Sequence, residues 1–249
     1  MVEYDMKSYV IEAIARRISG DIVFSDEPGS ALRKWREYFG VSQHEIARVM
    51  GISSSVISDY EKGRRNPGSK FIKRFVLSLI ELDSRRGYEK VSVLSRTLNV
   101  PLESVLDMSE FDRGVTVSEL ADLVQGTVLT TELHTDRVVY GYTVVDSLKA
   151  IASLSGIQFY ALFGTTPERA IIFTGVRAGR SPMVAVRVSP VKPSVVVIHG
   201  PRRHIDPLAI ELARLDGVPL ILSFARSVDE MIRRLRSRSV HPSPYPPVA

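Results

Sequence analysis

The stretch Ser42–Glu61, S-Q-H-E-I-A-R-V-M-G-I-S-S-S-V-I-S-D-Y-E, constrains this chain more than any other. Ser42 followed three residues later by Glu45 is the pattern of a capping box, in which side chain and backbone reciprocally satisfy two amides at a helix start. Ile46 and Met50 then lie one turn apart on a core face, and Ala47 is small enough to let a second helix approach. Gly51 ends this helix by supplying a positive φ at the turn. Ser53 is placed to cap a second helix, whose apolar Val56, Ile57 and Tyr60 leave Ser54, Ser55, Ser58 and Asp59 on a polar surface. A short polar helix presented in this way has the shape to enter a major groove.

These residues resemble the Cro and lambda-repressor type of helix-turn-helix, the XRE family of bacterial and archaeal transcription regulators. The likeness runs from about Leu32 to Leu82 and rests on S-Q-x-E-I-A, G-I-S-x-S-x-I-S and the trailing Y-E-x-G-R-R-N-P. It implies binding to double-stranded DNA. Carried over position by position, Gln43, Ser54, Ser55 and Asp59 face base edges, with Ser58 on the same exposed helix face, while Arg64, Arg65 and Asn66 lie near phosphates. Arg36 and Glu61 match a structural ion pair that ties the first helix of the domain to the recognition helix. Asp59 departs from the commoner pattern, a longer polar or basic side chain. An acid is unfavourable beside phosphate, but it can accept from a cytosine amino group.

Charge supports a polyanionic partner locally more than globally. The net charge of the chain is +5, a mild excess. Between Lys62 and Arg74, however, stand Lys62, Arg64, Arg65, Lys70, Lys73 and Arg74 with no acid among them, directly after the second helix. Phosphate contacts belong in such a cluster. With no cysteine, disulfides, cysteine-bound zinc and a thiol nucleophile are excluded. No signal-peptide pattern and no apolar run of about 18 residues is present, so a cytoplasmic protein without a membrane partner is expected.

At 249 residues with 44% hydrophobic content, the chain is long enough for two cores. Residues 1–84 read as the helix-turn-helix domain with an extra amino-terminal helix, in which Met6, Val10, Ile14 and Ile18 recur every four positions and Gly20 is placed as terminator. Ile22–Phe24 read as a short extended piece and Ala31–Phe39 as the helix holding Arg36 and Trp35. Ser84–Gly87 opens a linker, residues 85–113, with short helices interrupted at Pro101. Residues 114–238 read as an α/β domain: a helix over Thr116–Gln125 ended by Gly126, strands over Val128–Thr130, Val138–Val145, Phe159–Phe163, Ala170–Val176, Met183–Val188 and Ser194–His199, and a helix over Ser147–Leu154.

The end of that domain carries the clearest signals. Asp206 caps a helix with Pro207 at its first position, Leu208, Leu212 and Leu215 read as its buried stripe, and Gly217 ends it. Val218–Ser223 follows as a strand, and Ser227 with Glu230 begins a last helix whose Val228, Met231, Ile232 and Leu235 point inward. Strand, helix, strand, helix with such short joints implies a parallel strand pair. The fold class is therefore α + α/β, an all-α helix-turn-helix domain followed by an α/β domain. The second half is distantly similar to the DRTGG family of small α/β domains, through V-S-E-L-A-D-L-V-Q-G and the stretch Val195–Leu222, although H-G-P-R-R stands in place of the naming motif. Residues 239–249 are proline-rich and read as a disordered tail.

Two loops of the second domain suit an anionic small-molecule effector: one with Gly175, Arg177 and Arg180, the other with His199, Gly200, Arg202, Arg203 and His204. Glycine permits close backbone approach, and arginine offers paired donors to phosphate or carboxylate. No nucleophile elbow, H-E-x-x-H, Walker loop or GxGxxG accompanies the histidines, so the sequence offers no catalytic residue, metal ligand or cofactor site. The expected function is a sequence-specific DNA-binding regulator, a homodimer whose second domain supplies dimer contacts, an effector site, or both. The alternative is a bridging coactivator or antitoxin-like module with little DNA specificity of its own; a third reading is an enzyme carrying a DNA-binding domain.

Overall fold

The computed structural model describes residues 8–97, 104–133, 136–154, 159, 162, 166–201 and 205–239. The chain divides into two compact units, Met1–Val100 and Pro101–Ala249.

The first unit is all helical: α1 (Ser8–Val23), α2 (Pro28–Tyr38), α3 (Gln43–Val49), α4 (Ser54–Glu61), α5 (Ser69–Ser84) and α6 (Glu89–Thr97). The repeat of four that begins in α1 continues past Gly20, so that Val10, Ile14, Ile18 and Ile22 are all fully buried. Gly20 therefore does not terminate the helix, and Ile22 and Val23 are helical rather than extended. Burying Ile22 outweighs the cost of about 1 kcal/mol for glycine inside a helix. Helix α1 packs on α2, α5 and α6, and α5 buries Phe75, Val76, Leu79 and Ile80.

Ser84–Gly87 is an ordered turn of this unit and not a linker. Arg86 donates to the carbonyls of Phe39 (3.1 Å) and Gly40 (3.2 Å). The buried Asp83 carboxylate accepts from the amides of Lys90 (3.1 Å) and Val91 (2.9 Å), which starts α6. Pro101 lies outside the described residues, and Val105 and Leu106 belong to a strand rather than a short helix.

The second unit holds a mixed sheet of six strands: β1 (Val105–Thr116), β2 (Gly126–Val128), β3 (Val138–Asp146), β4 (Arg169–Thr174), β5 (Val195–His199) and β6 (Leu220–Ser223). Their order is β1-β3-β4-β5-β6-β2. The four central strands are parallel, and β1 and β2 close the two edges in antiparallel fashion. The expected parallel pair, β5 and β6, is thus part of a larger parallel set. Unbroken apolar runs such as Val195–Ile198 are buried on both faces, as such strands require. On one face Tyr142, Val144, Ile172, Val197 and Ile221 form a core with α7 (Val117–Leu123) and α11 (Val228–Arg236). Against Ile198 on the other lie the start of α9 (Arg180–Val188) and Ala209 of α10 (Pro207–Asp216). A short α8 (Ser147–Ser153), capped by Asp146, follows β3.

Several expectations for this unit are corrected. Met183–Val188 is part of helix α9, with Met183 and Val186 buried one turn apart and Val184 and Val188 exposed. Gly126 does not end α7: Gln125 takes the positive φ, and Gly126 starts β2, where an added Cβ would lie 2.7 Å from the Leu222 carbonyl oxygen. Strand β2 accordingly ends at Val128 instead of spanning Val128–Thr130. Of Phe159–Phe163 only Phe159 and Leu162 are described, and neither is in a strand. Finally, α10 buries Ala209 and Ala213 and leaves Leu208 and Leu215 exposed. The residues 240–249 of the tail lie outside the described residues.

Candidate nucleic-acid interface

The capping box forms as its spacing dictates. Ser42 Oγ accepts from the Glu45 amide (3.2 Å), and Glu45 Oε2 accepts from the Ser42 amide (2.7 Å). That backbone donor, with the Ser42 side chain and nearby Arg86 and Arg48, holds the Glu45 carboxyl below its ordinary range. Gly51 takes φ 59° at the end of α3, and the Ile52 amide returns to the Ala47 carbonyl at 3.0 Å. Ser53 stands at the start of α4, but its hydroxyl lies 2.8 Å from Ser55 Oγ and makes no side-chain cap.

Helix α4 is held from three sides. Arg36 of α2 donates from Nε and Nη2 to the two carboxylate oxygens of Glu61 at 2.6 and 2.9 Å, and from Nη1 to the Val41 carbonyl at 2.9 Å. The Glu61 side chain is only 2% exposed, and its hydrogen bonds push the Arg36 guanidinium further towards the protonated form. Gly29 lets α2 touch the end of α4 directly, since a Cβ there would stand 2.4 Å from the Tyr60 carbonyl oxygen. Tyr60 in turn stacks on Phe71 of α5, with ring centroids 3.8 Å apart. Burial of Ile57 anchors the inner side, leaving Ser54 and Ser58 half-buried and Ser55 exposed on the outer one.

Gln43, at the first turn of α3, donates from Nε2 to Glu61 Oε2 at 2.8 Å. The carboxylate that neutralises Arg36 thus also orients the Gln43 amide. This contact spans residues too far apart for periodicity to reveal. Asp59 accepts from Arg64 Nη1 at 3.2 Å, so the departure from the commoner pattern is balanced by a cation in the following turn. Lys62, Arg64, Arg65 and Asn66 are all exposed beyond the end of α4. Arg74 departs from the expected phosphate cluster in one respect: its Nη2 donates to the Met50 carbonyl and closes the end of α3.

In the second unit the two glycine and arginine loops follow β4 and β5 and converge. Gly200 has φ 140°, and a Cβ there would lie 2.2 Å from the Val176 carbonyl oxygen. Gly175 and Gly179 take φ 68° and 88° in the neighbouring loop. Arg177 is exposed, but Arg180 pairs with Asp206 at 2.8 Å and helps fix the start of α10. His199 is half-buried, with Nδ1 3.4 Å from Ser223 Oγ. Arg202, Arg203 and His204 lie outside the described residues. Among the described residues no group of three or more His, Asp or Glu is arranged to hold a metal, and no helix is long and apolar enough to cross a membrane.

Comparison with known proteins bears on the same elements. The helix-turn-helix family model matches residues 32–76, from α2 into α5. A protein of Archaeoglobus fulgidus, described as an uncharacterized HTH-type transcriptional regulator, is 48% identical over 227 residues, covering 91% of this chain and 97% of its own. A protein of Methanocaldococcus jannaschii with the same description is 45% identical over 229 residues, covering 90% of this chain and 94% of its own. Both alignments extend through the α/β unit. No solved structure matches the chain.

Proposed function

Because the chain belongs to the family of HTH-type transcriptional regulators, we propose that it binds a specific duplex sequence through α4 and does so as a homodimer. Helix α4 enters the major groove, with Ser54, Ser55, Ser58 and Asp59 towards base edges and Gln43 beside them. Lys62, Arg64, Arg65 and Asn66 hold the flanking phosphates. The observation that carries this reading is the fixing of α4 by the buried Arg36–Glu61 pair together with the Glu61–Gln43 bond. Groove-facing groups are thereby oriented before DNA arrives, which limits the ordering cost of binding. A second copy doubles a small interface and reads two half-sites about one helical turn apart.

The test is selection of bound sequences from a random duplex pool at near-physiological salt, with wild type and a Gln43→Ala, Ser54→Ala double variant side by side. Enrichment of a palindromic motif by wild type, lost in the variant, is the expected result. Absence of any motif would favour a bridging module, and capture of its protein partner would follow.

The convergence of the loops after β4 and β5 favours a place for an anionic effector at the carboxyl edge of the parallel strands, where open α/β sheets bind ligands. Arg177, His199 and the amides beside Gly175 and Gly200 would serve it. Titration of the full chain with phosphorylated metabolites should shift amide resonances of these loops and be weakened by Arg177→Ala; unmoved resonances across the series would reject the site.

A further inference from the structure

Two acids stand between Ser54 and Arg74, and they lie on opposite sides of α4. Glu61 is turned inward onto Arg36 with 2% of its side chain exposed, whereas 29% of the Asp59 side chain is exposed, one turn beyond Ser55 on the outer side. An acid on a face that meets phosphates is costly unless a cation neutralises it, and the end of the helix supplies one. Gly63 takes φ 70°, its amide returns to the Tyr60 carbonyl (3.1 Å) and the Arg64 amide to the Asp59 carbonyl (2.9 Å), the pair of closing bonds that a left-handed residue at this position allows. The chain is thereby folded back so that Arg64 stands beside Asp59, and Arg64 Nη1 donates to Asp59 Oδ1 at 3.2 Å. Asp59 Oδ2 accepts from no described residue, and Arg64 Nε and Nη2 donate to none. Each partner thus keeps a free side for a ligand.

We infer that Asp59 and Arg64 act as one unit that reads cytosine, Asp59 Oδ2 accepting from the exocyclic amino group of the base while Arg64 spans from Asp59 Oδ1 to a phosphate. This rests on the entry of α4 into the major groove proposed above, and names the base that one of its residues selects. An ionised carboxylate only accepts hydrogen bonds. In the major groove guanine presents two acceptors, thymine an acceptor and a methyl group, and adenine an amino donor beside a ring acceptor; cytosine presents an amino donor with no acceptor on the same base. Every other base would therefore set an acceptor or a methyl group against the anion. Arg64 is what makes the contact compatible with a polyanion. With the guanidinium beside it, Asp59 approaches the groove as half of a neutral pair, and the planar group has donors left for a phosphate oxygen.

The test uses the full-length chain. Bound sequences are selected from a random duplex pool by wild type and by Asp59→Ala, a change on the outer surface whose melting curve should match that of wild type. Wild type should enrich a motif with cytosine at one fixed position, and the variant should keep the rest of the motif while losing the preference there. Binding to the selected duplex and to the duplexes carrying each other base pair at that position reads the contact directly. Wild type should lose about 10-fold on each replacement, and Asp59→Ala should bind all of them alike. Arg64→Ala completes the cycle, because it leaves an unneutralised carboxylate against the DNA; its loss of affinity should be about fivefold larger with Asp59 present than in the Asp59→Ala background. If wild type selects no motif, the sequence-specific function proposed above fails and this inference with it. A motif that Asp59→Ala retains at every position overturns the cytosine reader alone, as does a relaxed position that is not cytosine. Equal losses on Arg64→Ala in the two backgrounds overturn the joint action of the pair.

Discussion

Each unit of this molecule holds a buried arginine, and the two are satisfied in different ways. Arg36 makes its two carboxylate hydrogen bonds to Glu61, with Glu37 a more distant partner at 3.8 Å, within a bundle of consecutive helices. Arg169, fully buried at the start of β4, reaches under β3 to β1: it donates to the carbonyls of Tyr142 (2.6 Å) and Ser109 (3.2 Å) and pairs with Glu110. The space it needs exists because residue 141 is glycine; a Cβ there would lie 2.5 Å from Glu110 Oε2 and 2.9 Å from the guanidinium. The first arginine thus lies one hydrogen-bonded step from a proposed base reader, Gln43. The second stitches strands distant in sequence. On the proposed reading a buried charge serves recognition in one unit, whereas in the other it joins strands of the sheet.

The largest expected effects come from removing these centres. Glu61→Ala leaves the Arg36 cation buried without its carboxylate, a loss of about 3–5 kcal/mol. Arg169→Ala removes the cation that joins three strands and should cost a similar amount. Calorimetry of each variant should show the first loss in the transition of the helical unit and the second in that of the α/β unit. A single shared transition lowered equally by both would break the contrast. Gly141→Ala is expected to cost about 1–3 kcal/mol through crowding of the same arginine, with DNA affinity unchanged at temperatures where the chain stays folded.

A converse pair of changes should spare stability and alter binding. Arg64→Ala with Arg65→Ala should leave melting unchanged, because both side chains are exposed beyond the end of α4. The dependence of log K on log salt should flatten by about 0.9 for each phosphate that is no longer neutralised. An unchanged salt slope would remove these arginines from the phosphate-binding set, leaving Lys62, Lys70 and Lys73, with Arg74 tied to the Met50 carbonyl.

The same contrast decides what the sequence discloses. In the helical unit the informative signals are local: a box closed over three residues, a glycine at the turn, and apolar residues four apart. The capping box and the α3–α4 turn were legible from such signals, and the Arg36–Glu61 pair only through the family resemblance. The Glu61–Gln43 bond was not, because nothing local relates those positions. In the α/β unit, tertiary contacts override local pattern. Met183, Val184, Val186 and Val188 carry the β-branched, near-alternating pattern of a strand, yet Gly179 and the ion pairs to α10 hold them in a helix. The leucine seam of α10 is its most regular apolar pattern, but the small side chains of Ala209 and Ala213 allow the closer approach to the sheet. Periodicity located the helix and mistook which face is inward.

The smallest expected effect concerns the device that both units share. Glu119 closes a capping box on α7 as Glu45 does on α3, accepting from the Thr116 amide at 2.9 Å. In each case the backbone amide is the main reason that the carboxyl is held below its ordinary range. A carboxylate with a depressed folded pKa stabilises above its unfolded value of about 4.3, and that contribution is lost as pH falls through the folded one. Glu45→Gln and Glu119→Gln should therefore each be slightly less stable than wild type at pH 7, and the difference should close as the solution is acidified through the lower carboxylate range. Amide exchange resolves the two helices separately in one experiment. A deficit that persists unchanged at pH 3 would mean that hydrogen-bond geometry, rather than ionisation, is what the glutamates contribute.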